Sequence, residues 1–132
     1  MQKKLGYNKI EKLKSRKLIQ QLFSEGKSFT VFPLKFFFMP AKEPLDFFVK
    51  TGVGASSRNF KKAVNRNYIK RLLRETYRTH KLPLHEYLQQ RNKQIVLFIL
   101  YIDKTLPDFI TLSAKMPAAL QRLMKELDEK SA

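Results

Sequence analysis

Between Arg58 and Arg78 the basic residues recur at a spacing suited to phosphate chemistry. Arg66, Lys70, Arg74 and Arg78 follow one another every four residues, with Asn67 and Arg71 beside them. Wound at roughly 100° per residue, the run is a helix with Asn65, Ile69, Leu72, Leu73 and Thr76 on one arc and the cations on the next. A surface helix is better served by Glu–Lys pairs four apart. Here like charges stack at 66/70, 70/74 and 74/78, each costing about 0.2–0.5 kcal/mol in isolation. Glu75 is the one acid available to offset them. Phosphates would neutralise such a ridge: guanidinium groups grip them bidentately, and counterion release drives the association.

The rest of the composition agrees. The chain has 132 residues, 27 of them Lys or Arg against 11 Asp or Glu, for a net charge of +16. Residues 1–27 carry eight basic and two acidic groups and residues 58–81 nine and one, so most of the excess sits in two blocks. Uneven charge of this kind points to a binding surface for a polyanion rather than to solubility alone. Cysteine is absent, which excludes thiolate zinc sites, disulfide frameworks and a cysteine nucleophile. The longest apolar run, Ile95 to Ile102, is far short of the roughly 20 residues that span a bilayer. The basic start lacks an apolar signal core. The expectation is a cytoplasmic protein with no membrane partner.

The elements that must position the ridge read as a single domain over residues 1–132, with residues 1–12 a flexible basic tail. Ser15 to Glu25 reads as a helix with Ser15 as N-cap, an apolar stripe of Leu18, Ile19, Leu22 and Phe23, and Gly26 at the stop. Leu34 to Met39 and Phe47 to Ala55 read as strands joined by Lys42-Glu43-Pro44. Gly52 and Gly54 mark a bulge, a break or a close backbone approach. The basic helix runs from 62 to about 80 and ends at Pro83. Ile95 to Ile102 is a strand buried on both faces. Met116, Leu120, Leu123, Met124 and Leu127 form the stripe of a last helix, with Pro117 near its first turn. The class is α+β, a two-layer sandwich.

No short turn-linked helix precedes the ridge, so it is not a helix-turn-helix, and DNA is not the expected partner. Aromatic residues on the strands favour RNA, whose unpaired bases stack on exposed rings. Phe36 and Phe38 share one face of their strand, with Lys35, Phe37 and Met39 on the other. His80 and His85, five apart, are poorly spaced for a shared metal and read as surface or partly packed residues.

The stretch Arg58-Asn59-Phe60-Lys61-Lys62-Ala63-Val64-x-Arg66-Asn67-x-x-Lys70-Arg71-x-x-Arg74-Glu75 closely resembles the signature of the protein subunit of bacterial ribonuclease P. Its core, Arg-Asn-x-x-Lys-Arg-x-x-Arg, is filled at every fixed position. The segment Ile19 to Gly26 is similar to the family's first helix, Phe-x-x-Val/Leu-Phe-x-x-Gly, with Ile19 in place of the first aromatic. The resemblance implies an α/β sandwich like that of a ribosomal protein domain, in the order α-β-β-β-α-β-α, with a left-handed β-α-β crossover through the signature helix. It also implies that a large RNA, using Mg²⁺, removes the 5′ leader of precursor tRNA. The protein, with no metal site of its own, would bind the leader and the catalytic RNA. On that basis Arg58, Lys61, Lys62, Arg66, Asn67, Lys70, Arg71 and Arg74 are expected to contact RNA. Ile19, Phe23, Phe36 and Phe38 are expected to line a cleft for the leader. Two other classes compete: a structural RNA-binding protein such as a ribosomal component, and a protein-only nuclease. The nuclease would need clustered carboxylates or a His pair, and the acids here are scattered.

Overall fold

The computed structural model describes residues 11–131. Residues 1–10 of the expected tail lie outside them. Helix α1 spans Arg16–Glu25, and the Ser15 side chain accepts the Leu18 N–H at 3.2 Å, as an N-cap should. Gly26 is required by space and not by φ. A Cβ there would fall 2.5 Å from the Leu22 carbonyl oxygen and 3.0 Å from that of Phe38.

Strands β1 (Lys27–Val31) and β2 (Leu34–Pro40) form an antiparallel hairpin with Phe29 opposite Phe36. Strands β3 (Val49–Ala55) and β4 (Ile95–Tyr101) complete a sheet of order β1-β2-β4-β3. β4 pairs antiparallel with β2 and parallel with β3. The parallel pair is connected through α2 (Ala63–His80) and α3 (Leu82–Gln90), and α4 (Phe109–Ser131) closes the chain. This is the α+β sandwich expected, with the signature helix in the crossover. Two details differ. Pro83 does not end the helical region but sits in the first turn of α3, where its missing N–H costs nothing. Helix α4 starts at Phe109, about two turns earlier than its apolar stripe suggests, so Pro117 lies inside it.

The sheet has two unequal coats. On one face Leu34, Phe36, Phe38, Val49, Leu97, Ile99 and Tyr101 meet Ile69, Leu73 and Tyr77 of α2 and Leu112, Met116, Leu120, Leu123 and Leu127 of α4. On the other face, among the described residues, the short α1 and the segment ahead of it pack through Leu22 and Leu13 onto Met39 and Val96. Gly52 and Gly54 lie in an unbroken strand and mark a close approach: the Phe98 ring rests against them. A Cβ at Gly54 would fall 2.8 Å from Phe98 Cζ.

Residues 11–13 are docked, which corrects the expectation of a free tail through Lys12. Leu13 N–H donates to the Thr51 carbonyl at 3.0 Å, and Lys12 bridges to Thr51. Glu11 is paired with Lys81 at 2.5 Å, both almost wholly buried. Beside them Thr51 Oγ1 donates to the Tyr77 hydroxyl at 3.0 Å, which pairs with His85 Nε2 at 3.2 Å. His85 is therefore buried, not at the surface. Burial, reinforced by the nearby Lys81 charge, lowers its pKa to about 4.

A neutral buried histidine must be charged when the chain unfolds in mild acid. The stability it contributes is complete above its unfolded pKa, near 6.5. That stability is lost as the pH falls from there toward the folded value of about 4. The expected loss is about 3 kcal/mol over this window. Urea unfolding at a series of pH values should show it, and a His85→Asn variant should show a shallower dependence.

Candidate nucleic-acid interface

Helix α2 buries Ile69, Leu73, Thr76 and Tyr77 against β3 and α4. That arc fixes the rotation of the helix and leaves Arg71 exposed, with Arg66, Lys70 and Arg74 half-exposed, along its flank. Arg58, Lys61 and Lys62 stand exposed on the loop that leads into it. Among the described residues, none of Arg58, Lys61, Lys62, Lys70, Arg71 and Arg74 has a carboxylate partner. Arg71 lies over the Tyr68 ring at 5.9 Å. Arg78, just beyond the signature, is different: it is ion-paired with Glu75 and holds that carboxyl below the usual carboxylate range. The unneutralised ridge therefore ends at Arg74.

Two signature residues brace the loop. The Arg66 guanidinium donates to the Phe60 carbonyl at 2.7 Å and to the Lys61 carbonyl at 2.8 Å. It thereby fixes the backbone that presents Lys61 and Lys62. Asn59 Nδ2 donates to the Ile102 carbonyl at 3.3 Å, tying the same loop to the end of β4. Residue spacing gave no signal for Asn59, because its partner lies across the sheet. Asn67 is exposed at the start of the ridge.

The aromatic part of the interface needs correction. Phe36 and Phe38 are buried in the main core and cannot line a cleft. The strand face carrying Leu34, Phe36 and Phe38 lies under the thick helical layer, and the period of two turns Lys35, Phe37 and Met39 the other way. Phe23, 48% exposed, stands over that second face. Its ring meets Phe37 edge-on at 4.8 Å and Phe98 at 5.2 Å. Ile19 packs beside them, and Lys35 Nζ lies 5.1 Å from the Phe37 ring centre. The shelf is therefore Phe23, Phe37 and Phe98 with Ile19 and Lys35. Phe37 and Phe98 take the places expected for Phe36 and Phe38. The charge of Lys35 was the available signal, since a lysine marks the strand face that keeps contact with water.

The molecule is thus a small, strongly basic α+β sandwich with a cationic helix flank and a half-covered aromatic sheet face. The family model for ribonuclease P matches residues 7–124. Curated ribonuclease P protein components from two strains of Porphyromonas gingivalis are each 35% identical over 118 residues, spanning 89% of this chain and 86% of theirs. The solved RNase P protein of Staphylococcus aureus superposes with a TM-score of 0.66 at 17% identity, covering 86% of this chain and 94% of that one. The Thermotoga maritima protein gives 0.64 at 24% identity, covering 85% and 96%. The chain belongs to the ribonuclease P protein family, and its place is in tRNA processing by that enzyme.

Arg66 holds both carbonyls through one guanidinium nitrogen, and a side chain without a donor frees both. Arg66→Met should cost about 1–2 kcal/mol of stability. It should also raise amide exchange at residues 60–62, measured by hydrogen exchange, while leaving the core of α2 protected.

Proposed function

We propose that this chain is the RNA-binding subunit of ribonuclease P, assisting a catalytic RNA in endonucleolytic removal of the 5′ leader from precursor tRNA. One observation carries the proposal. The complete signature lies on one helix and its entry loop, with Arg58, Lys61, Lys62, Lys70, Arg71 and Arg74 unneutralised among the described residues. These side chains serve the phosphates of the catalytic RNA or of the substrate beside it, and Arg66 and Asn59 hold their loop in position. The shelf of Phe23, Phe37 and Phe98 suits the leader strand: unpaired bases stack on its rings while Lys35 meets a phosphate.

The hydrolytic chemistry falls to the RNA and the Mg²⁺ it binds. Glu11 precedes α1, Glu25 ends it, Glu43 and Asp46 share the loop between β2 and β3, and Glu75 is on α2. No three ligand-type side chains among the described residues gather into a metal set. Among the described residues no helix is long and apolar enough to cross a membrane.

With labelled precursor tRNA and Mg²⁺, the protein alone should not cleave. It should stimulate a bacterial ribonuclease P RNA at near-physiological salt, and a Lys70→Ala, Arg71→Ala, Arg74→Ala variant should lose the gain. Cleavage by protein alone would sink the proposal and revive the nuclease class. Failure to stimulate would leave a structural RNA-binding protein.

The shelf has its own test. Phe37→Ala should weaken binding of leader-bearing precursor tRNA to the holoenzyme by about five- to a hundredfold, the range for one stacked base. Mature tRNA should be little affected. Equal losses for both ligands would count against a leader site.

A further inference from the structure

The sheet topology gathers three loops at one end of the molecule. β3 and β4 are parallel and finish there together, and β2 starts there with Leu34 opposite Tyr101. The β1–β2 turn, the 56–62 loop and the 102–108 loop therefore share this end. Hydrogen bonds join them: Ile102 N–H to the Pro33 carbonyl at 2.9 Å, Asn59 Nδ2 to the Ile102 carbonyl at 3.3 Å and the Tyr68 hydroxyl to the Pro107 carbonyl at 3.2 Å.

This end is unusually apolar for a surface. Phe32, Val64, Leu106, Phe109 and Ile110 are exposed here, from 40% at Phe109 to 80% at Ile110. Of the large hydrophobic side chains exposed among the described residues, only Phe23 lies elsewhere. Grouped exposed apolar side chains mark an interaction site more often than scattered ones do. Arg58, Lys61, Lys62 and Lys104 stand exposed on two of the same loops. The two local acids are engaged by backbone. Asp108 accepts the Thr111 N–H at 2.7 Å and Asp103 the Lys104 N–H at 2.6 Å.

Resting on the proposed function above, we infer that this end is a second RNA-docking surface, one that takes unpaired nucleotides splayed out of their stack. The charge complementarity selects the occupant. Exposed cations and exposed apolar side chains gathered on the same end suit a ligand with anionic links and flat apolar faces, as unpaired RNA offers. The apolar side chains cover base faces, and Lys104, with Arg58, Lys61 and Lys62 shared with the α2 surface, meets the flanking phosphates. The surface differs from the α2 ridge in what drives it. The ridge binds through counterion release, and this end gains mainly from removing apolar surface from water.

That difference is the test. Full-length protein is titrated with transcribed bacterial ribonuclease P RNA across a salt series. A Leu106→Ser, Ile110→Ser variant should bind about tenfold more weakly with an unchanged slope of log K against log salt. Adding Phe32→Ser should deepen the loss. A Lys70→Ala, Arg71→Ala variant should flatten the slope by roughly one to two. A weakened ridge variant beside an unaffected apolar variant overturns this surface and leaves the proposed function standing. If neither variant loses affinity, the proposed function fails, and this inference with it. A slope change in the apolar variant would show an effect on charge and not on stacking, and overturns the inference. So would sedimentation showing that the variant abolishes self-association without affecting RNA affinity. Should the double variant not fold, Ile110→Ser alone, at the most exposed of these positions, carries the test through a loss of several-fold.

Discussion

Strand β4 must be covered on both sides. It lies inside the sheet, paired with β2 and β3, and nearly every residue from Ile95 to Tyr101 is apolar. Two long helices, α2 and α4, cover one side. Among the described residues the other side has the ten residues of α1 and the segment 11–13 ahead of it, which cover Val96 and leave Phe98 and Leu100 half-buried. Among those residues the shelf stays half-covered because α1 is shorter than the face beneath it. Gly52 and Gly54 then let the Phe98 ring lie against β3.

Much of this was legible in the residues, for reasons that can be named. Helix α2 was readable because its core arc and its cationic arc each repeat over about three turns, and a long period is robust to local exceptions. Helix α1 was readable from its cap, Ser15, and from the glycine at its end. The face of β2 was harder. A run of three phenylalanines carries almost no alternation, so hydrophobicity could not show which two faced the helices. The lone Lys35 did carry that information. Helix α3 was obscured by Pro83, which reads as a stop when it follows a helix and as a start when it opens one. Contacts between segments distant in sequence, such as Asn59 with Ile102 or Glu11 with Lys81, leave no periodic trace at all.

The basic flank illustrates how binding surfaces are held apart from the stabilising core. Ile69, Leu73, Thr76 and Tyr77 supply the packing that makes α2 a helix. That packing tolerates the repulsion among the neighbouring cations, a few tenths of a kcal/mol per pair. Arg66 crosses the division, since its guanidinium is spent largely on carbonyls of the loop. Signature positions of one charge type therefore do different jobs: some face outward with no carboxylate partner among the described residues, and Arg66 braces the loop that presents them.

The ion pair of Glu11 with Lys81 joins positions 70 residues apart, both inaccessible to water. Breaking such a buried pair by removing one member costs about 3–5 kcal/mol, whereas replacing both with well-packed apolar groups can be neutral. In mutational terms the two positions form a single locus. Any lineage that altered one would have to alter the other, although one lies ahead of the first helix and the other between α2 and α3. Swapping N-terminal segments between relatives would therefore carry a hidden dependence on a residue far outside the exchanged piece.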